Sequence, residues 1–145
     1  MTYREKLPGA ELRIQSLKPK VLILDEDLLA LELYTRELAS SYQVIPCESV
    51  EETYKYLNTG TLDVIIIEPA VNNDEGWDLL KEIQAYSNPP LVILCSVEDD
   101  RKIGLDQGAL AFLVKPVLPT ALHSLLDQII IKRSSQNLYK LEKGT

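Results

Sequence analysis

Val21-Leu22-Ile23-Leu24-Asp25-Glu26-Asp27 is a four-residue apolar run that stops abruptly in three carboxylates. A short, continuous apolar run is how a strand covered on both faces of a parallel sheet reads. Four further segments read the same way: Tyr42–Ile45, Val64–Ile67, Leu91–Cys95 and Ala109–Val114. Amphipathic stretches lie between them. Ala30, Leu33, Tyr34 and Leu38 make one helical stripe, and Val50, Tyr54 and Leu57 make another. Leu122, Leu125, Leu126, Ile129 and Ile130 form the clearest stripe, opened by Pro119 near the first helical position and free of breakers to about Leu141. Ser49 and Glu52 have the S-x-x-E spacing of a capping box. Turns are expected at Asn58–Gly60, Ser87–Pro90 and Asp106–Gly108.

Strictly alternating strands and helices predict an α/β domain: a doubly wound, five-stranded parallel sheet with helices on both faces. Pro46 adds topology, because a proline is tolerated in an edge strand and not in a central one. With the second strand at the edge, the strand order is the flavodoxin-like 2-1-3-4-5. The expected organisation is a tail over 1–18, one domain over 19–131 and a basic extension of the last helix over 132–145.

A chain of 145 residues buries about 70% of its unfolded surface, enough for a core without disulfide staples. No apolar run approaches the roughly 20 residues of a membrane helix, and Met1–Lys20 lacks the continuous apolar segment of a secretory signal. Cys47 and Cys95 make no disulfide framework, so the expected location is the reducing cytoplasm. His123 is the one histidine and no CxxC pair occurs, which excludes a structural zinc site. The net charge of −7 is unevenly spread: residues 1–20 and 132–145 are each +3, and the body between them is −13. An acidic body repels phosphates, so nucleic acid is not an expected partner.

In such sheets, function collects at the carboxyl ends of the strands. Here those ends are Asp25-Glu26-Asp27, Glu68, Cys95-Ser96 and Lys115-Pro116. Converging carboxylates repel unless a lysine or a hard cation such as Mg²⁺ relieves them. Capping of the first helix is the competing explanation for the acidic triplet. It accounts for Asp27, but not for a second acidic strand end facing a lysine. Other chemistries lack their signatures. No glycine-rich turn follows the first strand, no G-x-S-x-G is present, and His123 reads as a surface or partly packed residue. Cys47 and Cys95 read as small buried apolar residues.

Val21–Asp27, Asp63-Val-Ile-Ile-Ile-Glu68 and Phe112-Leu-Val-Lys-Pro116 together resemble the receiver domain of bacterial response regulators. Gly76 and Gly104-Leu-Asp-Gln-Gly-Ala109 extend the resemblance, which covers about residues 19–131. It implies a phosphorylation switch. Asp25 and Glu26 match the family's Mg²⁺-binding acidic pair, the Ala70 carbonyl the group that completes the metal shell, and Glu68 the phosphoaccepting aspartate. Lys115 matches the phosphoryl-contacting lysine, Phe112 the aromatic residue that reorients on activation, and Cys95, or Ser96 after a one-residue slip, the phosphoryl-contacting Thr/Ser. The departures are Glu68 for Asp, Cys95 for a hydroxyl, Asn72 for a common proline, and a short stretch between strands four and five.

The resemblance therefore points to a pseudo-receiver: a two-component signalling module without substrate turnover, with Mg²⁺ weakly held or lost. It would bind a protein, whether a histidine kinase, an output protein or another receiver, through the face of helix four, strand five and helix five, with a homodimer also open. Two rivals stay open: a Mg²⁺-dependent switch that accepts phosphate on Glu68 or a neighbouring carboxylate, and a structural dimerisation or metal-sensing domain.

Overall fold

The computed structural model describes residues 17–142. Five strands and five helices alternate: β1 Lys20–Leu24, α1 Leu28–Leu38, β2 Gln43–Cys47, α2 Val50–Leu57, β3 Val64–Ile67, α3 Val71–Ile83, β4 Leu91–Ser96, α4 Arg101–Asp106, β5 Ala111–Val114 and α5 Pro119–Glu142. All the strand pairs are parallel and the order is β2-β1-β3-β4-β5. The doubly wound, flavodoxin-like arrangement expected from the apolar runs is the one observed. Of the tail expected over 1–18, only residues 17 and 18 lie within the described residues.

Alternation along each strand divides the core in two. Leu22, Leu24, Ile65, Ile67, Val92, Leu94 and Phe112 face α2 and α3. Val21, Ile23, Val64, Ile66, Ile93 and Cys95 face α1 and α5. Because both faces are covered, the central strands have no polar side and their sequences run unbroken in apolar residues. All four residues of β3 are buried. Pro46 sits in β2 opposite Ile23, on the edge where its missing N–H leaves no ladder bond unmade.

Four expectations need correction. The buried stripe of α1 is Leu31, Tyr34 and Leu38, with Ala30 at its margin and Leu33 exposed. In α2 the buried positions are Val50, Thr53 and Leu57, and Tyr54 is only partly covered. β2 runs from Gln43 to Cys47, two residues past the expected end. β5 starts at Ala111, because the Ala109 N–H is turned back to the Gly104 carbonyl at 3.0 Å. The Ser49 half of the capping box is made, its Oγ accepting from the Glu52 N–H at 3.2 Å. The short stretch between β4 and β5 leaves α4 only six residues.

Candidate functional site

The β1–β3 and β3–β4 registers pair Leu24 with Ile67 and Ile67 with Leu94. One residue further on, Asp25, Glu68 and Cys95 therefore stand in a row across the sheet. They share the side of Ile23, Ile66 and Ile93, the face covered by α1 and α5. Lys115 follows Leu113 by two residues and so falls on the same side, where Leu113 packs. Ser96 falls on the opposite side. Its Oγ accepts from the Glu98 N–H at 3.2 Å and its carbonyl accepts from the Lys115 N–H at 2.8 Å. Of the two candidates at the end of β4, Cys95 is thus the one aligned with Glu68.

The row closes around one ammonium. Lys115 Nζ lies 2.6 Å from Asp25 Oδ2 and 3.1 Å from Glu68 Oε2. The remaining oxygens are also engaged: Asp25 Oδ1 accepts from the Asp27 N–H at 2.9 Å, and Glu68 Oε1 from the Ala70 N–H at 3.1 Å. Asp25 and Glu68 are both buried. Burial works against the lysine's charge, but its hydrogen bond and attraction to Asp25, then those to Glu68, prevail and push its pKa up. Burial also pushes the Cys95 thiol up to about 11, against the lowering influence of Lys115, so at neutral pH it is a protonated, weak donor.

Glu26 points away from this centre, its carboxylate accepting from the Asn72 N–H. Asn72, Asn73 and Asp74 form a left-handed run with φ of 50°, 57° and 68°. Asn and Asp enter that region more readily than other non-glycine residues. A proline at 72 would fix φ near −65° and remove the N–H that meets Glu26. The Asn72 side chain adds a bond of its own, Oδ1 accepting from the Val50 N–H at 3.0 Å, and so ties this loop to the start of α2. Gly76 completes the turn, since a Cβ there would stand 2.6 Å from Pro69 Cα and 2.8 Å from the Pro69 carbonyl oxygen. This glycine lets α3 close onto the loop that carries Glu68.

Asp27 caps α1, its Oδ1 accepting from the Leu29 and Ala30 N–H groups at 3.1 and 3.2 Å, as the capping explanation required. Phe112 is buried between β5 and α4, against the bare face of Gly104. Two features were not foreseen. One is the bridging role of Asn72, whose only signal was an Asn-Asn-Asp run suited to left-handed backbone. The other is a polar clasp between the α1 end and α5. There His123 places Nδ1 3.0 Å from Glu37 Oε2 and Nε2 3.0 Å from Ser41 Oγ.

The oxygens of Asp25, Glu26, Glu68 and the Ala70 carbonyl have the hardness Mg²⁺ prefers, but their arrangement does not fit the ion. Both oxygens of Asp25 and of Glu68 already accept hydrogen bonds, Glu26 is turned to Asn72, and the Ala70 carbonyl accepts from the Asp74 N–H at 3.2 Å. Among the described residues, no three His, Cys, Asp or Glu side chains are grouped to hold a metal. A dication beside Lys115 would also meet its charge. Two unit charges 4 Å apart repel by about 4 kcal/mol at an effective dielectric of 20, and a dication doubles this.

Known proteins place the fold and the site in context. The receiver domain of a LuxO repressor protein from Vibrio parahaemolyticus superposes with a TM-score of 0.77 at 20% identity, covering 86% of this chain and 98% of that one. The chemotaxis response regulator CheY4 of Vibrio cholerae gives 0.70 at 22% identity, covering 77% and 98%. The chain is 28% identical over 119 residues to a probable transcriptional regulator, ycf27, of Cyanidium caldarium, covering 81% of this chain and 48% of that protein. It is 31% identical over 114 residues to the transcriptional regulatory protein GlrR of Escherichia coli, covering 76% of this chain and 26% of that one. The chain thus spans about half the length, or less, of these two curated relatives. Receiver domains are signalling modules of two-component systems that work through kinases, output domains and other proteins. Residues 21–127 match the model of the response regulator receiver domain, well over half of the chain, and the chain belongs to that family.

Proposed function

We propose that this receiver signals without aspartyl phosphorylation, as a protein-binding module whose rim is held in one state by Glu68. The observation that carries this reading is the double engagement of Glu68: one oxygen on Lys115 and the other on the Ala70 N–H. Those are donors that an incoming phosphoryl group would need. Glu68 is also one methylene longer than the aspartate it replaces, which moves the carboxylate by about 1.5 Å, and an error of about 1 Å can cost ~10²-fold where positioning supplies the catalysis. Phosphoryl transfer depends on in-line positioning and charge stabilisation. Cys95, aligned with Glu68, offers a thiol where a hydroxyl would bind phosphoryl oxygen better.

In this reading Glu68 stands in the phosphoacceptor position without accepting phosphate, and its charge on Lys115 substitutes for that of an acyl phosphate. Asp25 and Glu26 are the remnant of the metal pair, with Mg²⁺ weakly held or lost. Phe112 is the former switch residue, kept buried. Residues 19–131 form the signalling body, flanked by the tail 1–18 and the extension 132–145. The partner, whether a kinase, an output protein, another receiver or a second copy, docks on the face of α4, β5 and α5. Exposed Ile103, Leu105 and Leu110 supply apolar surface there. Two free, buried cysteines suit a reducing cytoplasm.

Intact mass after incubation with acetyl phosphate, with and without Mg²⁺, tests the reading. Unmodified mass for the natural chain, with a phosphoryl adduct on Glu68→Asp, is the expected result. An adduct on the natural chain would overturn it and make Glu68 or a neighbour a working acceptor.

A further inference from the structure

The rim contains a cation of its own. Lys115 Nζ reaches both Asp25 and Glu68 at 2.6 and 3.1 Å, and it is the nearest positive charge to either carboxylate among the described ion pairs. Its side chain is largely buried, and so are both acidic partners. Glu26, the third carboxylate, is exposed and hydrogen-bonded to Asn72, so water and an amide satisfy it without a counter-ion.

We infer that Lys115 is the permanent counter-ion of this rim, standing where a divalent cation would otherwise sit, and that removing it converts Asp25, Glu26 and Glu68 into a divalent-cation site. Two things follow from the geometry. With Lys115 in place, a dication can approach Asp25 and Glu68 only by displacing the ammonium or lying against it, and either is unfavourable. With Lys115 shortened, two buried carboxylates lose their partner within one row of the sheet. A hard cation with carboxylate and water ligands is then the least costly replacement. Glu26 stands next in the chain to Asp25 and can turn from Asn72 to join them. The loop tied by Asn72 would then loosen at the α2 end, where Asn72 Oδ1 meets the Val50 N–H. The inference extends the proposed function to the charge balance of the same site and does not depend on its phosphorylation chemistry.

The test uses the full chain, labelled with ¹⁵N, and millimolar Mn²⁺ as the probe. Amide signals of residues 25–27 and 68–70 are expected to keep their intensity in the natural protein, and Mg²⁺ to leave its Tm unchanged. In Lys115→Ala the same signals broaden with Mn²⁺, and Mg²⁺ raises Tm by several degrees. Lys115→Gln serves the same purpose if the alanine variant does not fold. Broadening confined to the rim of the natural protein overturns the inference whatever the variants do. A folded Lys115 variant that shows neither effect overturns it as well. A phosphoryl adduct that forms equally with and without Mg²⁺ would defeat the proposed function and leave this inference intact.

Discussion

Lys115 and Arg36 each hold a carboxylate at 2.6 Å, yet the two contacts do different things. Arg36 pairs with Glu32 one turn away on α1, with side chains 72% and 62% exposed. Lys115 pairs with Asp25 across the sheet, with side chains 15% and 7% exposed. Water solvates the first pair almost as well apart as together, and an exposed pair separated by one helical turn contributes about 0.3–0.5 kcal/mol. The second pair has no water to fall back on. Its two carboxylates and one ammonium can leave each other only at the cost of unpaired buried charge. Equal distances therefore conceal unequal weights, and burial decides which contact governs the molecule.

The largest effect that sharpens this contrast is Lys115→Ala. It leaves Asp25 and Glu68 buried without their counter-ion and is expected to cost about 3–5 kcal/mol in urea unfolding. A loss below about 1 kcal/mol would mean that the rim is wetter than its geometry indicates. Alkaline pH comes next, because it acts on the same buried groups. Burial pushes the Cys95 thiol up to about 11 and the Cys47 thiol and Tyr34 hydroxyl to about 12, and Lys115 is raised as well. Each of these groups holds its proton more tightly in the folded chain than in the unfolded one. Stability from all four is thus fully present below about pH 8.5, near the ordinary thiol pKa, and is lost as pH rises above it. Urea midpoints are expected to decline steadily above pH 9, and a midpoint that rises there would contradict the assignment. Smallest is Arg36→Ala, expected to change unfolding free energy by no more than about 0.5 kcal/mol, and less in high salt. A larger loss would erase the distinction between the two pairs.

The same contrast between buried and exposed explains what the sequence could convey. β3 is legible to the residue because all four of its side chains are buried on a sheet covered from both sides. α1 misleads because Leu28, Leu29, Leu31 and Leu33 crowd one helical turn and a half, so more than one apolar stripe can be drawn. Packing against α5 selects Leu31 over Leu33, and a tertiary contact is not written in local periodicity. At the rim, strand ends alone brought Asp25, Glu68 and Lys115 together, since parallel topology fixes which end each strand presents. Side-chain direction was harder. Choosing between Cys95 and Ser96 needs the pairing of Ile67 with Leu94, because a one-residue slip reverses the face. The turn of Glu26 toward Asn72 depends on a left-handed backbone that only the folded loop displays.

The account rests on Glu68 being held by Lys115 rather than merely lying near it. A double-mutant cycle in urea with Glu68→Gln, Lys115→Met and the combined variant measures that directly. A favourable coupling of about 2 kcal/mol or more is predicted, with the double variant more stable than the two single losses would sum to. Additivity within about 0.5 kcal/mol would show that Glu68 and Lys115 act independently, and the rim would then be free to accept another partner.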